Sequence, residues 1–170
     1  MDLAKKIRDV QDFPVKGVLF KDITTLIQDP DAFQEAIDAL VDHYIDEEID
    51  VVAAIESRGF IFGAPLAYEL AAGLVPIRKP GKLPAEKISA DYTLEYGTNT
   101  LEVHKDAIRP GQRVLLVDDV LATGGSAKAA TELIERLGGK IVGIAFLVDL
   151  TYLKGMEKLT AYDVFSLIQF

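Results

Sequence analysis

The sequence predicts an α/β domain: an open, mostly parallel sheet flanked by helices. Three observations carry that prediction. The runs Val51–Ile55, Val114–Val117 and Ile141–Val148 are apolar without polar alternation, so both faces of each strand are hidden, as in a parallel sheet covered by helices. Segments of helical spacing alternate with these runs. A length of 170 residues fits one domain, 1–170, with a sizeable core.

Taken in order, Leu3, Ile7 and Val10 stand at helical spacing and predict a short amphipathic helix. Phe13 to Phe20 carries the Pro and Gly punctuation of a loop. Asp29-Pro30-Asp31 starts a second helix, with Phe33, Ile37, Leu40, Val41 and Tyr44 as its apolar stripe, ending before Asp50. The strand Val51–Ile55 runs into Glu56-Ser57-Arg58-Gly59, and a small-residue helix is expected over Pro65–Ala72, closed by Gly73. Leu74–Ile77 is a second strand. From Pro80 to Thr100 a loop-like opening is followed by Tyr92, Leu94 and Tyr96 alternating with polar residues, which predicts a mobile excursion containing a hairpin. After the strand Val114–Val117, a helix is expected over Ala127–Leu137, ended by Gly138-Gly139, and then the strand Ile141–Val148.

Composition narrows the function classes. Hydrophobic residues at 49% and charged residues at 26%, with scattered Gly and Pro, describe a globular chain rather than a disordered one. The net charge of −9 repels nucleic acid and anionic membrane as bulk partners, so a phosphate-bearing ligand requires a local basic patch. The absence of cysteine excludes disulfides, zinc-thiolate sites and thiol nucleophiles. The first residues hold no apolar signal core, and the longest uncharged stretch, Gly59–Tyr68, is about half of a membrane span; the expected location is the cytoplasm.

The strongest chemical signal is Val114 to Ser126: a buried strand, the acid pair Asp118-Asp119, a small-residue turn, then a helix. The turn Ala122, Thr123, Gly124, Gly125, Ser126 offers backbone N–H groups, two hydroxyls and the positive end of a helix, together a seat for a phosphate dianion. Ionised carboxylates would repel that phosphate, and they accept only hydrogen bonds or cations. Asp118 and Asp119 therefore suit sugar hydroxyls or a ligand-borne Mg²⁺. The Gly-Lys-[Ser/Thr] ending of a nucleotide-hydrolase loop and a G-x-G-x-x-G fingerprint are both missing. A bare Thr-Gly-Gly would be only a helix cap; the full order of strand, acids, turn and helix favours a phosphorylated sugar.

A second signal is charge. Between Arg58 and Lys87, the five cations Arg58, Arg78, Lys79, Lys82 and Lys87 face two glutamates, a local +3 in an acidic chain. Such a cluster suits a larger anion, although Lys87 by itself reads as a solvated surface residue. Glu95, in Leu94-Glu95-Tyr96-Gly97, matters only if its loop closes over a ligand. His43 and His104 lack partners at a recognisable spacing and read as structural. Phe20, Phe60 and Phe62 suit either a planar ligand or the core.

The acid pair and turn resemble the 5-phosphoribosyl-1-diphosphate (PRPP) motif of the type I phosphoribosyltransferases. Phe13-Pro14 through Gly17–Ile23, Glu56-Ser57-Arg58-Gly59-Phe60, Arg78–Pro84, Tyr92–Gly97 and Leu153-Lys154-Gly155 extend the resemblance to the adenine phosphoribosyltransferase family over nearly the whole chain, from about Phe13. The resemblance implies that fold, with a small N-terminal hood over 1–30 and a flexible catalytic lid over 80–100. It implies the reaction of adenine with PRPP to give AMP and diphosphate, with Mg²⁺ held mainly through PRPP and no protein metal site, in a homodimer. By the same resemblance, Asp118 and Asp119 hold ribose hydroxyls, and Ala122 to Ser126 hold the 5′-phosphate. Arg58, Arg78, Lys79 and Lys82 serve the diphosphate; Leu19, Phe20 and Lys21 line the base pocket. Glu95 handles the base proton once the lid has closed and excluded water. Ser126 stands where many relatives have Thr, and Lys21 where many have Arg; each keeps the hydroxyl or the charge. Two other readings stay open beside this one: a nucleotide-sensing regulator, which would usually carry a basic face, and an enzyme for xanthine, hypoxanthine or guanine.

Overall fold

The computed structural model describes residues 1–94 and 97–170. In chain order it runs β1 (Arg8–Gln11), β2 (Leu19–Asp22), α1 (Thr24–Gln28), α2 (Pro30–Tyr44), β3 (Val51–Ile55), α3 (Gly59–Glu69), β4 (Gly73–Ile77), β5 (Lys87–Leu94), β6 (Gly97–His104), β7 (Arg113–Leu121), α4 (Gly125–Arg136), β8 (Lys140–Asp149) and β9 (Val164–Gln169). Five strands pair in parallel in the order β4-β3-β7-β8-β9. The buried runs thus form the interior of the sheet, and β4, with Pro76 and exposed Leu74, takes an edge where a missing N–H is tolerated.

Alternation along the strands splits the interior into two cores. Val52, Leu115, Val117, Ala145 and Leu147 face α2, α3 and the N-terminal segment. Val51, Ala53, Leu116, Ile144 and Phe146 face α4 and the β5–β6 hairpin. Helix α2 begins as expected: Asp29 accepts from the N–H groups of Asp31 and Ala32, and Pro30 fills the first turn where its missing N–H costs nothing. Its most buried face, Ala32, Ala36, Ile37, Leu40 and Tyr44, is rotated slightly from the expected stripe, with Phe33 and Val41 at its margin.

Four expectations are corrected. Leu3 and Ile7 are buried, but only a short 3-10 turn, Leu3–Lys6, forms there. The chain then enters β1, which pairs antiparallel with β2 through Asp9 opposite Lys21 and Arg8 opposite Asp22. The ion pairs Lys21–Asp9 (2.6 Å) and Arg8–Asp22 lock this ribbon, so contacts across the intervening loop override local helical spacing. Helix α3 starts at Gly59 rather than Pro65, which lies inside it, and Gly73 opens β4 instead of closing the helix. Strand β7 continues past Val117 to Leu121, because Asp118 to Leu121 still pair with Phe146 to Asp149 of β8. A last strand, β9, which no local signal marked, extends the sheet.

The expected hairpin is present as β5–β6, and its base is part of the second core: Ala90, Leu101 and Val103 are buried against α4. Arg136 also donates to the Ser89 carbonyl at 2.6 Å, tying the far end of α4 to β5. Both histidines have structural contacts: the His43 ring stacks on Phe165, and His104 Nε2 accepts from the Ala85 N–H. Among the described residues, no helix is long and apolar enough to cross a membrane.

Candidate active site

The site forms where β3 and β7 deliver their carboxyl ends, the position at which open α/β sheets bind ligands. Asp118 and Asp119 sit within β7 and are both buried. Asp118 Oδ1 accepts from the Asp119 N–H at 2.8 Å. Gly59 makes room for this carboxylate, since a Cβ there would stand 2.9 Å from the same oxygen. Burial, and then the neighbouring charge of Asp119, push the Asp118 carboxyl well above the usual range. Asp119 Oδ2 lies 2.5 Å from Arg58 Nε, yet among the described residues no N–H is aligned on it, so charge holds this pair.

The turn after β7 is locked by backbone. Gly124 has φ +86°, and a Cβ on it would stand 2.7 Å from the Gly155 carbonyl; a Cβ on Gly155 would stand 2.5 Å from the Ala122 carbonyl. Two glycines from distant segments thus let two backbones touch. That contact gives the tail signature around Gly155 its purpose. Helix α4 follows at once, among the described residues no side chain caps its first N–H groups, and its positive end favours an anion at the turn.

A cavity of about 550 Å³ opens over these elements. Of the residues assigned to the sugar and phosphate, Asp118, Asp119, Ala122 and Ser126 line it; Thr123, Gly124 and Gly125 complete the turn behind them. Of the base-pocket residues, Leu19, Phe20 and Lys21 form one wall. Of the four cations, Arg58 and Lys79 reach the wall. Arg78 is turned aside: its Nε donates to Glu56 Oε1 at 3.1 Å, and its guanidinium lies over Phe60. The parallel register Ile55 opposite Ile77 sets Glu56 beside Arg78, which explains the pairing. Glu56 Oε1 also accepts from the Lys79 N–H at 2.7 Å and so fixes the backbone that presents Lys79. Lys82 is exposed and away from the wall. Phe62 is core, whereas Phe20 faces the cavity, with Arg58 over its ring. Glu95 lies outside the described residues.

Several wall residues carry no local signal. Tyr92 comes from the hairpin and packs its ring on Gly125, where a Cβ would stand 3.1 Å from Cδ2. Leu150, Tyr152 and Leu153 also line the cavity and belong to a short segment after β8. Of these, Leu153 stood in the signature Leu153-Lys154-Gly155, and Leu150 and Tyr152 carried no mark. Among the described residues, no group of three or more acidic or imidazole side chains could by itself hold a metal ion.

The model of the phosphoribosyl transferase domain matches residues 23–170. The chain is 60% identical over 169 residues, 99% of each sequence, to adenine phosphoribosyltransferase of Halothermothrix orenii. It superimposes on the crystal structure of adenine phosphoribosyltransferase from Thermoanaerobacter pseudethanolicus with a TM-score of 0.96 at 53% identity, covering 99% of this chain and 98% of that one. The Saccharomyces cerevisiae enzyme, complexed with an iminoaltritol bisphosphate and adenine, matches with a TM-score of 0.92 at 42% identity, covering 98% of this chain and 96% of that one. With matches of this identity and coverage, the chain belongs to the adenine phosphoribosyltransferase family.

Proposed function

We propose that the protein transfers the 5-phosphoribosyl group of PRPP to adenine, giving AMP and diphosphate. One observation carries this reading: a buried acid pair, a helix-terminated glycine turn and an apolar hood wall converge on one cavity. The yeast relative solved with adenine supports the purine. Cleavage at C1′ builds positive charge on the sugar and negative charge on the departing diphosphate. The turn 122–126 holds the 5′-phosphate, and Asp119 Oδ2, buried without an aligned donor, suits a ribose hydroxyl. Asp118, held by the Asp119 N–H, buttresses that position.

Arg58 and Lys79 stand where the diphosphate leaves, and Glu56 keeps Lys79 in place. Lys82 and Arg78 add field around them. A Mg²⁺ brought in by PRPP would find Asp118 and Asp119 as carboxylates able to help hold it, and would supply neutralisation of the diphosphate charge. The hairpin excludes water from the cavity as a lid, and Glu95 accepts the base proton. The protein acts in the cytoplasm as a homodimer; exposed Tyr68 and Leu74 supply apolar surface for such an assembly.

The test is an assay of adenine, hypoxanthine, guanine and xanthine, each with PRPP and Mg²⁺, with sedimentation of the same sample. Turnover of adenine alone, by a dimer, is expected. PRPP binding without turnover of any purine would replace this reading with that of a regulator.

A further inference from the structure

The two walls of the base side of the cavity come from distant segments, and one residue outside the cavity holds both. The hood wall is β2, with Leu19, Phe20 and Lys21; the facing wall is Leu150, Tyr152 and Leu153. Phe170 follows β9 and lies under both. Its N–H donates to the Asp149 carbonyl at 3.0 Å. Its carbonyl accepts from the Thr151 N–H at 3.0 Å and from Thr151 Oγ1 at 2.7 Å. These three bonds bracket Leu150. On the other side, Lys21 Nζ stands 4.0 Å from the centroid of the Phe170 ring. The Lys21 side chain is only 14% exposed, and its remaining charge partner is Asp9 at 2.6 Å, so the ammonium is held by a carboxylate on one side and an aromatic face on the other.

The phosphate side shares the segment after β8 with this wall through Gly155, but the bonds of Phe170 stop at Asp149 and Thr151 and none of them reaches the turn. Its turn is seated by the contact of Gly124 with Gly155 and of Gly125 with Tyr92. We infer that Phe170 is a positioning residue that sets the separation of the two base-side walls, and so governs capture of the purine without governing capture of PRPP. This rests on the adenine reading above.

The test measures KM for adenine, KM for PRPP, kcat and thermal stability in the wild type, Phe170→Leu and Phe170→Ala. Phe170→Leu keeps most of the volume and all backbone bonds but loses the aromatic face. It is expected to raise KM for adenine roughly 2- to 30-fold, the range a desolvated cation–π contact covers, and to change KM for PRPP less than about twofold. Phe170→Ala is expected to exceed it. The increases caused by Phe170→Leu and Lys21→Gln should not multiply in the double variant, because both remove the same contact. Equal rises in both KM values, no rise in either, or multiplying effects would overturn the assignment. If Phe170→Ala melts too low to assay, Phe170→Leu decides. A wild type that does not turn over adenine would refute the underlying reading; a wild type that does, with unsplit KM values in the variants, refutes only the role of Phe170.

Discussion

The two ends of the cavity are built by opposite means. The end proposed for the sugar phosphate is backbone and buried carboxylate: β7 is central in the sheet, Asp118 and Asp119 are buried, and the turn is closed by glycine against glycine. The base end is side chain on ribbons and turns: Leu19 is 37% exposed, Leu153 39% and Tyr152 60%. Charge must be held in a fixed, low-dielectric frame, because stabilising it by reorganising during reaction would cost what preorganisation avoids. A flat base with stacking faces needs walls that part to admit it, which places them on elements with few buried contacts.

Breaking the rigid end should have the largest effect. Asp118→Asn combined with Asp119→Asn is expected to lower kcat/KM by more than about 1,000-fold with the fold retained by circular dichroism. Near-normal activity would remove the hydroxyl-binding role. Asp118→Asn by itself separates chemistry from stability. A carboxyl raised by burial makes the folded state bind its proton more tightly than the unfolded one, so the contribution of this group to stability is greatest at low pH and falls as pH rises through the raised value. The asparagine keeps the oxygen that accepts from the Asp119 N–H and lacks the titration. Its melting temperature should exceed that of the wild type at pH 7, and the gap should close near pH 4.

At the base end, Glu95→Gln is expected to lower kcat by about 100- to 10,000-fold with little change in KM for PRPP, as befits a positioned proton acceptor. An unchanged kcat in steady-state assays would make Glu95 a solvated hairpin residue.

A matched pair of glycines sharpens the contrast. Gly17 in the hood and Gly124 in the turn have φ of +89° and +86°, but a Cβ on Gly17 meets nothing within 4 Å. Gly17→Ala should therefore cost about 1 kcal/mol, the strain of a left-handed alanine. Gly124→Ala should cost about 3 kcal/mol or more in denaturant unfolding and weaken PRPP, because the Gly155 backbone must also move. Equal costs would mean the turn is as yielding as the hood.

The smallest expected effect is a difference between ligands. Arg58→Ala should weaken diphosphate severalfold more than adenine in calorimetric titration, since its guanidinium pairs with anionic oxygens, as it does with Asp119, and touches the base side through the face of Phe20 at 5.9 Å. Equal losses would make it a support for the fold.

The same contrast decided what was legible in the sequence. The strand, acid pair, turn and helix are contiguous, so the rigid end could be read from residues 114–126 directly. Even there the strand's end was misplaced, because charged residues usually mark a boundary and here the ladder with β8 carries them on. The opposite walls of the base end are some 130 residues apart, joined through β9 and Phe170, and no local pattern encodes such a meeting. The N-terminal segment shows the same limit. Leu3 and Ile7 announced burial correctly, but Lys21 and Asp22, contributed from beyond the loop, draw Arg8 and Asp9 into a ribbon instead of a helix. Arg78 was legible as a cation and not as a paired one, because its partner Glu56 is set beside it only by strand register.

The division of the interior into two cores has an evolutionary consequence. The hood is rooted in one core through Leu3, Ile7, Ile23 and Leu26, and the hairpin in the other through Ala90, Leu101 and Val103, with the sheet as a partition between them. Substitutions that reshape one root do not propagate into the other across five hydrogen-bonded strands. The hood side can therefore drift, lengthen or be exchanged while the partition continues to present the same acid pair and turn, whereas the hairpin is less free because its Tyr92 packs on Gly125 of that turn. Under the proposed reading, such an architecture lets a lineage reshape the base side through one cover and leave the sugar-phosphate seat untouched.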